Sequence, residues 1–351
     1  MTGKKRLDSL DALRALACLG ILSFHTYLTM LGYVCVSLFF VLSGFLMVYT
    51  YYDRLDLSAL TAAGCLKFSI RKIKKLYPLH ILTMLIPLSE QMYGLLSGLA
   101  QPTLSFFAPF AANILLIQAW IPVERYYFSL NIVSWYLSVC LFLYAVFPFI
   151  LKGLRRFKRA EHGLIAAVSV YLVALGVAWC IYSPGGGGQW FLYVCPLFRL
   201  VDFFIGCCIG FYFLKAGEKE RSPAAATLYE LLAIALVVLS EVIGLQGRLP
   251  RFLRYTPAFI PMAVMLTFAF AYAKGLPVKL LTNKVTLYIS SVSAYVFLIH
   301  AVITNLCSIT FSRLGITSKF GYIFCVAAAS FALAELYRRF ENRKKKTLTK
   351  G

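Results

Sequence analysis

The first apolar stretch of the chain, Leu7 to Met30, carries Asp11, Arg14 and His25 inside a run otherwise fit to cross a membrane. A helix in lipid avoids ionisable groups because each is expensive there, so their presence reads by default as function. Eleven steps separate Arg14 from His25, a rotation of about 1100° on an α-helix, which returns the two side chains to within roughly 20° of one face. Along the axis they stand about 16.5 Å apart. Asp11 lies three residues before Arg14 on that face, at the spacing of an ion pair. One stripe of this helix therefore offers a cation near one membrane surface and an imidazole more than halfway to the other.

The rest of the chain suits the same environment. Hydrophobic residues make up 60% of its 351 positions, and the mean hydropathy is +0.77. Runs of about 20 apolar residues recur throughout, the length that crosses the hydrocarbon core. No alternation of the outer-membrane barrel type appears. The amino-terminal run is too long and too charged for a removable signal peptide, so it stays as the first span. These features imply an all-α polytopic transmembrane bundle: a membrane domain over 1–340, a basic tail over 341–351, and no separate soluble catalytic domain. The net charge of +21 does not point to nucleic acid, because the lysines and arginines cluster in short loops between spans. Ten cysteines occur singly or as Cys207-Cys208, without C-x-x-C or Cys/His ligand spacing. They read as small packing residues, which argues against a metal site or a disulfide framework.

Eleven apolar segments are visible, and charge tests whether all of them cross. Both termini are basic and belong in the cytoplasm, as do the loops holding Arg71 to Lys75, Arg155 to Arg159, Lys215 to Arg221 and Lys274 to Lys284. Between the first two of these loops the crossings must be even in number, yet three apolar segments lie there. The 104–120 segment, short and holding Pro109 and Asn113, is expected to be re-entrant or interfacial. About ten spans with both termini cytoplasmic follow. Gly185 to Gly188 reads as an outer turn. The outer segment 246–256, with Arg248, Arg251 and Arg254, runs against the charge pattern.

Several polar groups inside spans could carry chemistry. His25 could be a buried histidine bonded to a backbone carbonyl. Its shared face with Asp11 and Arg14, and a second intramembrane histidine at His300, favour a general base, the task to which a neutral imidazole is best suited. Arg71 is either a positive-inside anchor or, through its bidentate fork, a phosphate ligand. Ser134 and Ser138, with Asn131, recur at helical spacing beside Trp135, as a cavity wall or a packing face with an interfacial anchor. Arg199 and Asp202, three residues apart, form a buried ion pair or an anion site. Tyr295 and His300 are five residues apart, so only one can point into a given site.

Together these segments resemble acyltransferase family 3, the integral-membrane O-acyltransferases that include O-antigen and exopolysaccharide acetylases. The resemblance runs in order from Leu7 to about Phe340. It rests on Asp11-x-x-Arg14 followed by His25, on FFVLSGF at Phe39 to Phe45, and on Tyr77-Pro78-Leu79 after a basic cluster. It continues through Asn131-x-x-Ser134-Trp135-x-Leu137-Ser138-Val139, a Pro-x-x-Arg-Leu-x-x-Phe-x-x-Gly block around Arg199, and a Ser-x-x-Tyr-x-x-x-x-His block at Tyr295 and His300. The chain departs from the family pattern in having lysines for a second arginine near 74 or 75, Tyr136 for a serine, and Cys140 for a common glutamate.

The resemblance implies transfer of an acyl group, usually acetyl from acetyl-CoA, to a hydroxyl of a sugar, glycan or lipid-linked saccharide, in a bacterial cytoplasmic membrane. No bound cofactor is implied; acyl-CoA is a substrate, and membrane lipids are the surroundings. In this reading Asp11, Arg14 and His25 are catalytic, and Arg14, Arg71 and Arg199 bind the donor. Ser134, Trp135, Ser138, Tyr295 and His300 line the acceptor cavity. The rival class is a transporter of a glycan or organic anion, for which the repeat symmetry common in transporters is not apparent.

Overall fold

The computed structural model describes residues 6–348 apart from 59, 98–103, 182–187, 218–221, 246–249, 251 and 254. Most of the expected glycine turn, and Arg248, Arg251 and Arg254, thus lie outside the described residues. Fourteen α-helices follow one another, with no strand among the described residues. They are α1 (Asp8–His25), α2 (Gly32–Tyr51), α3 (Ala62–Ile73), α4 (Tyr77–Leu96), α5 (Leu104–Ile114), α6 (Glu124–Tyr127) and α7 (Trp135–Leu154). Then come α8 (Glu161–Ile181), α9 (Pro196–Ala216), α10 (Pro223–Leu245), α11 (Ile260–Tyr272), α12 (Leu276–Leu281), α13 (Lys284–Arg313) and α14 (Lys319–Leu348). A 3-10 turn, Gln118–Trp120, follows α5, and a wide π turn, Trp190–Val194, leads into α9.

Local chemistry sets many of these ends. Proline stands in the first turn of α4, α9, α11 and α12, where its missing N–H costs nothing and its fixed φ suits the helix. Asn283 closes a capping box with Thr286 at the start of α13, satisfying two amides that a helix start leaves without partners. Helix α14 runs through residue 340 without a break, so the basic tail continues it.

Among the described residues, seven helices are long and apolar enough to cross a membrane: α2, α7, α8, α9 with its π turn, α10, α13 and α14. Ten crossings would require α1, α4 and the shorter apolar α11 to cross as well. Helix α5 has 11 residues, about 16 Å of rise. That is roughly half the hydrocarbon thickness, so the 104–120 segment does not cross as one helix.

The core forms where α2 meets α9, the most extensive helix pairing in the bundle. Glycines make that approach possible. A Cβ on Gly44 would collide with the carbonyl oxygen of Phe203, and one on Gly206 with that of Val41. Gly44 belongs to FFVLSGF and Gly206 to the block around Arg199, so two segments 160 residues apart in sequence meet backbone to backbone. Small residues at such crossings let dispersion contacts replace the hydrophobic drive that lipid removes.

Gly44→Val should therefore overpack this crossing, at a cost of about 1–3 kcal/mol, whereas Gly176→Ala, with nothing within 4 Å of the new methyl, should be silent. Thermal unfolding of both proteins in detergent checks this. An unshifted Tm for Gly44→Val would mean that the α2–α9 approach is looser than described.

Candidate active site

At one end of the bundle α1, α2, α7 and α13 enclose a cavity of about 610 Å³. Its mouth carries four cationic side chains, Arg6, Arg14, Lys72 and Lys75, against the carboxylate of Asp11. Arg6 and Lys75 are more than half exposed there. Asp11 organises the mouth: its Oδ2 accepts from Arg6 Nε at 2.7 Å and its Oδ1 from Arg14 Nη1 at 3.0 Å. Ser290 Oγ on α13 adds a third, longer contact of 3.4 Å to Oδ1. Lys72 is held by the Tyr51 hydroxyl and lies 4.1 Å from that ring's centre. Lys75 approaches Glu341 of α14 at 3.8 Å, so the start of α1 and the end of α14 share one side of the bundle.

The opposite end of α1 carries His25, its last residue and half-buried. The ring of His300 on α13 meets it edge-on, with centroids 4.9 Å apart. His300 is buried, and its Nδ1 lies 3.1 Å from the Val296 carbonyl oxygen. A carbonyl only accepts, so Nδ1 carries the proton and a neutral His300 keeps its lone pair on Nε2. That Nε2 is buried without a hydrogen-bond partner among the described residues. Neither histidine lines the cavity. Phe297 does, and its ring lies 5.9 Å from His300 and 5.1 Å from Tyr136. An aromatic layer thus stands between the cationic cavity and the histidine pair.

A family model for an acyltransferase domain, acyltransferase family 3, matches residues 7–338. The chain belongs to this family. It is also 28% identical over 290 residues to the acyltransferase MdmB of Streptomyces mycarofaciens, covering 75% of this chain and 70% of that protein. No solved structure matches. The protein is a membrane acyltransferase.

Not every family block reaches the acyltransferase's cavity. Arg71 is exposed on α3 and absent from the wall, which its neighbour Lys72 lines instead; one step of about 100° around the helix separates them. Arg199, expected at the donor, is enclosed. It donates to Asp202 at 2.8 Å, to the Tyr193 carbonyl at 2.6 Å and to Ser37 at 3.3 Å, with the rings of Phe40, Trp135 and Tyr193 within 6 Å of its guanidinium carbon. Trp135 is one wall of that cage and does not line the cavity.

Ser134 and Ser138 also turn away from the cavity. Ser134 donates to Asn113 Oδ1 at 2.9 Å, and Ser138 to the Leu116 carbonyl. Together with His80, which donates to the Asn113 carbonyl at 3.0 Å, they pin the 104–120 segment, a short helix followed by a 3-10 turn. Irregular backbone at membrane depth survives only where protein satisfies its polar groups. Tyr295 faces α14 and donates to Glu341 at 2.6 Å, so of the late pair it is His300 that meets His25.

Sequence reasoning missed Arg6, Lys72, Lys75 and Phe297. The three cations look like ordinary positive-inside charge, and Phe297 like core. Tyr136 and Tyr144 line the wall, with Tyr144 bonded to Ser43 at 3.0 Å. Cys140, buried on the same helix, stands where the family commonly has glutamate.

Ser134→Ala should act on stability. Asn113 Oδ1 would lose its donor in a buried place, a cost of about 1–3 kcal/mol. The variant should melt earlier while keeping the parent's KM for the acyl donor. A changed KM with an unchanged Tm would return Ser134 to the cavity wall.

Proposed function

We propose that this acyltransferase moves an acyl group, acetyl in the first instance, from cytoplasmic acyl-CoA to a hydroxyl of a sugar, glycan or lipid-linked saccharide reached from the other side of the membrane. The observation that carries this reading is the cationic cavity at one end of α1, with a half-buried imidazole at the other. The phosphates of CoA suit Arg6, Arg14, Lys72 and Lys75, since arginine grips phosphate oxygens with two parallel N–H bonds and lysine serves as a point charge. Asp11 holds Arg6 and Arg14 in place before the donor arrives. The positive-inside pattern supports a cytoplasmic mouth.

From that mouth the thioester arm would run along α1 past Phe39 and Phe297 toward His25. There the acceptor O–H gives its proton to the His25 imidazole as the oxygen attacks the thioester carbonyl. The C–S bond breaks, the CoA thiolate leaves, and it takes the proton back from the imidazolium. His300 acts as a positioning residue. Its Nε2 lone pair can accept the N–H of His25, fixing the tautomer that leaves the other nitrogen of His25 as the base.

The test is release of CoA thiol from acetyl-CoA by purified protein supplied with membrane glycolipid extract. His25→Ala should stay monodisperse and lose a factor of about 10² or more, the low end for a missing general base. His300→Ala should lower kcat while leaving the donor KM unchanged. Near-normal release by a folded His25→Ala protein would contradict the mechanism. No thioester turnover by the unaltered protein would contradict acyl-CoA as the donor.

A further inference from the structure

The wall of the cationic cavity changes character with depth. Along α2 it runs from Thr50, at the mouth beside the Tyr51 hydroxyl that holds Lys72, down to Phe39 in the aromatic layer. Eleven residue steps separate the two, about 16.5 Å of helix. Leu42 and Leu46 of α2 and Leu137 of α7 give the wall between them an apolar surface. Into that surface are set the hydroxyls of Ser43 on α2 and Tyr144 on α7, 3.0 Å from one another. Both residues are half-buried and line the cavity. Ser43 lies seven steps below Thr50, about 10.5 Å from the mouth, and one turn above Phe39.

The serines of the facing helix are committed to other groups. On α13, Ser290 reaches Asp11 at 3.4 Å, Ser291 donates to the Tyr288 carbonyl at 2.7 Å, and Ser293 donates to that of Ser290 at 2.8 Å. The Ser43–Tyr144 pair differs, because two hydroxyls bring two protons and only one can lie between them. The pair keeps a second O–H and further lone pairs, so it can both give a hydrogen bond and accept one.

We propose, resting on the acyl-CoA reading of this cavity, that the pair binds the pantetheine arm of the donor at the amide nearer the sulfur. From pyrophosphate to sulfur that arm has a backbone of about a dozen bonds, as many as four extended residues, and so spans ~14 Å. With the phosphates among Arg14, Lys72 and Lys75, the sulfur comes to the aromatic layer on the way to His25. The amide nearer the sulfur begins about eight bonds from the pyrophosphate, ~9 Å along the arm, which is the level of Ser43. An amide carries one C=O and one N–H, and leaving either without a partner in an apolar wall is costly. Ser43 and Tyr144 supply a donor and an acceptor there. The other amide stays near the mouth, among side chains that water reaches.

The test is equilibrium binding to full-length protein in detergent, with three probes. They are acetyl-CoA, adenosine 3′,5′-bisphosphate (phosphates without the arm), and a CoA analogue with two methylenes in place of the amide nearer the sulfur. Tyr144→Phe and Ser43→Ala should each weaken acetyl-CoA by about 3- to 10-fold, the range for one neutral hydrogen bond. Both should bind the bisphosphate as the parent does. The methylene analogue should bind parent and variants alike, a result that a contact serving only to pack α2 against α7 does not produce. Each variant is read separately, so one that folds poorly leaves the other to decide. A folded variant that binds acetyl-CoA like the parent, or that weakens acetyl-CoA and the analogue equally, overturns the proposal. A parent that binds neither acetyl-CoA nor the bisphosphate overturns the acyl-CoA reading of the cavity, and this proposal with it.

Discussion

A guanidinium can sit on a membrane helix only where something offsets the loss of its hydration, and on α1 that something is Asp11. Its two oxygens hold Arg14 on the same helix and Arg6 in the segment before it, and Ser290 reaches it from α13. One carboxylate thereby fixes the direction of two cations and ties the first helix to the thirteenth. The same two helices carry the histidine pair at their other end. The cationic mouth and the imidazoles are therefore two ends of one α1–α13 seam, and packing that shifts one end shifts the other.

The seam is framed by groups that belong to the scaffold. Gly44 and Gly206 bring α2 and α9 together closely enough to form the core against which α1 leans. Arg199, caged by three aromatic rings and bonded to Asp202, Tyr193 and Ser37, joins α9 to α2 inside that core. The segment at 104–120, with its short α5, is tied through Asn113 to His80 of α4 and to Ser134 at the start of α7. Asn131 completes the arrangement by donating to Thr83 and to the Leu298 carbonyl, two residues before His300. The polar residues in these spans thus divide into those that face the cavity and those that stop irregular backbone from being stranded in lipid.

Much of this was legible in the sequence, and the reason is energetic. Charge in a span is costly, so Asp11, Arg14 and His25 stood out, and helical periodicity placed them on one face. The expectation that 104–120 is not a full span came from counting charged loops, and the short α5 there is consistent with it. Other features depend on packing between distant segments. Whether Tyr295 or His300 meets His25 is decided by how α13 lies against α1 and α14, which no local pattern encodes. Ser134 and Ser138 show helical spacing whether they face a cavity or a neighbouring backbone, and only the position of residues 113 to 116 distinguishes the two. Arg71 and Lys72 differ by one residue, so a small rotation of α3 chooses which enters the mouth.

In the proposed mechanism the donor enters at the cationic end while the histidines act at the other. Its most direct test is sidedness in proteoliposomes. The orientation of each population is read from protease access to a tag placed after Gly351, and acetyl-CoA is supplied on the outer side alone with acceptor available on both. Thiol release is predicted only from the population whose carboxyl terminus faces the acetyl-CoA. Release from the population with the carboxyl terminus sealed inside would contradict donor entry at the cationic end.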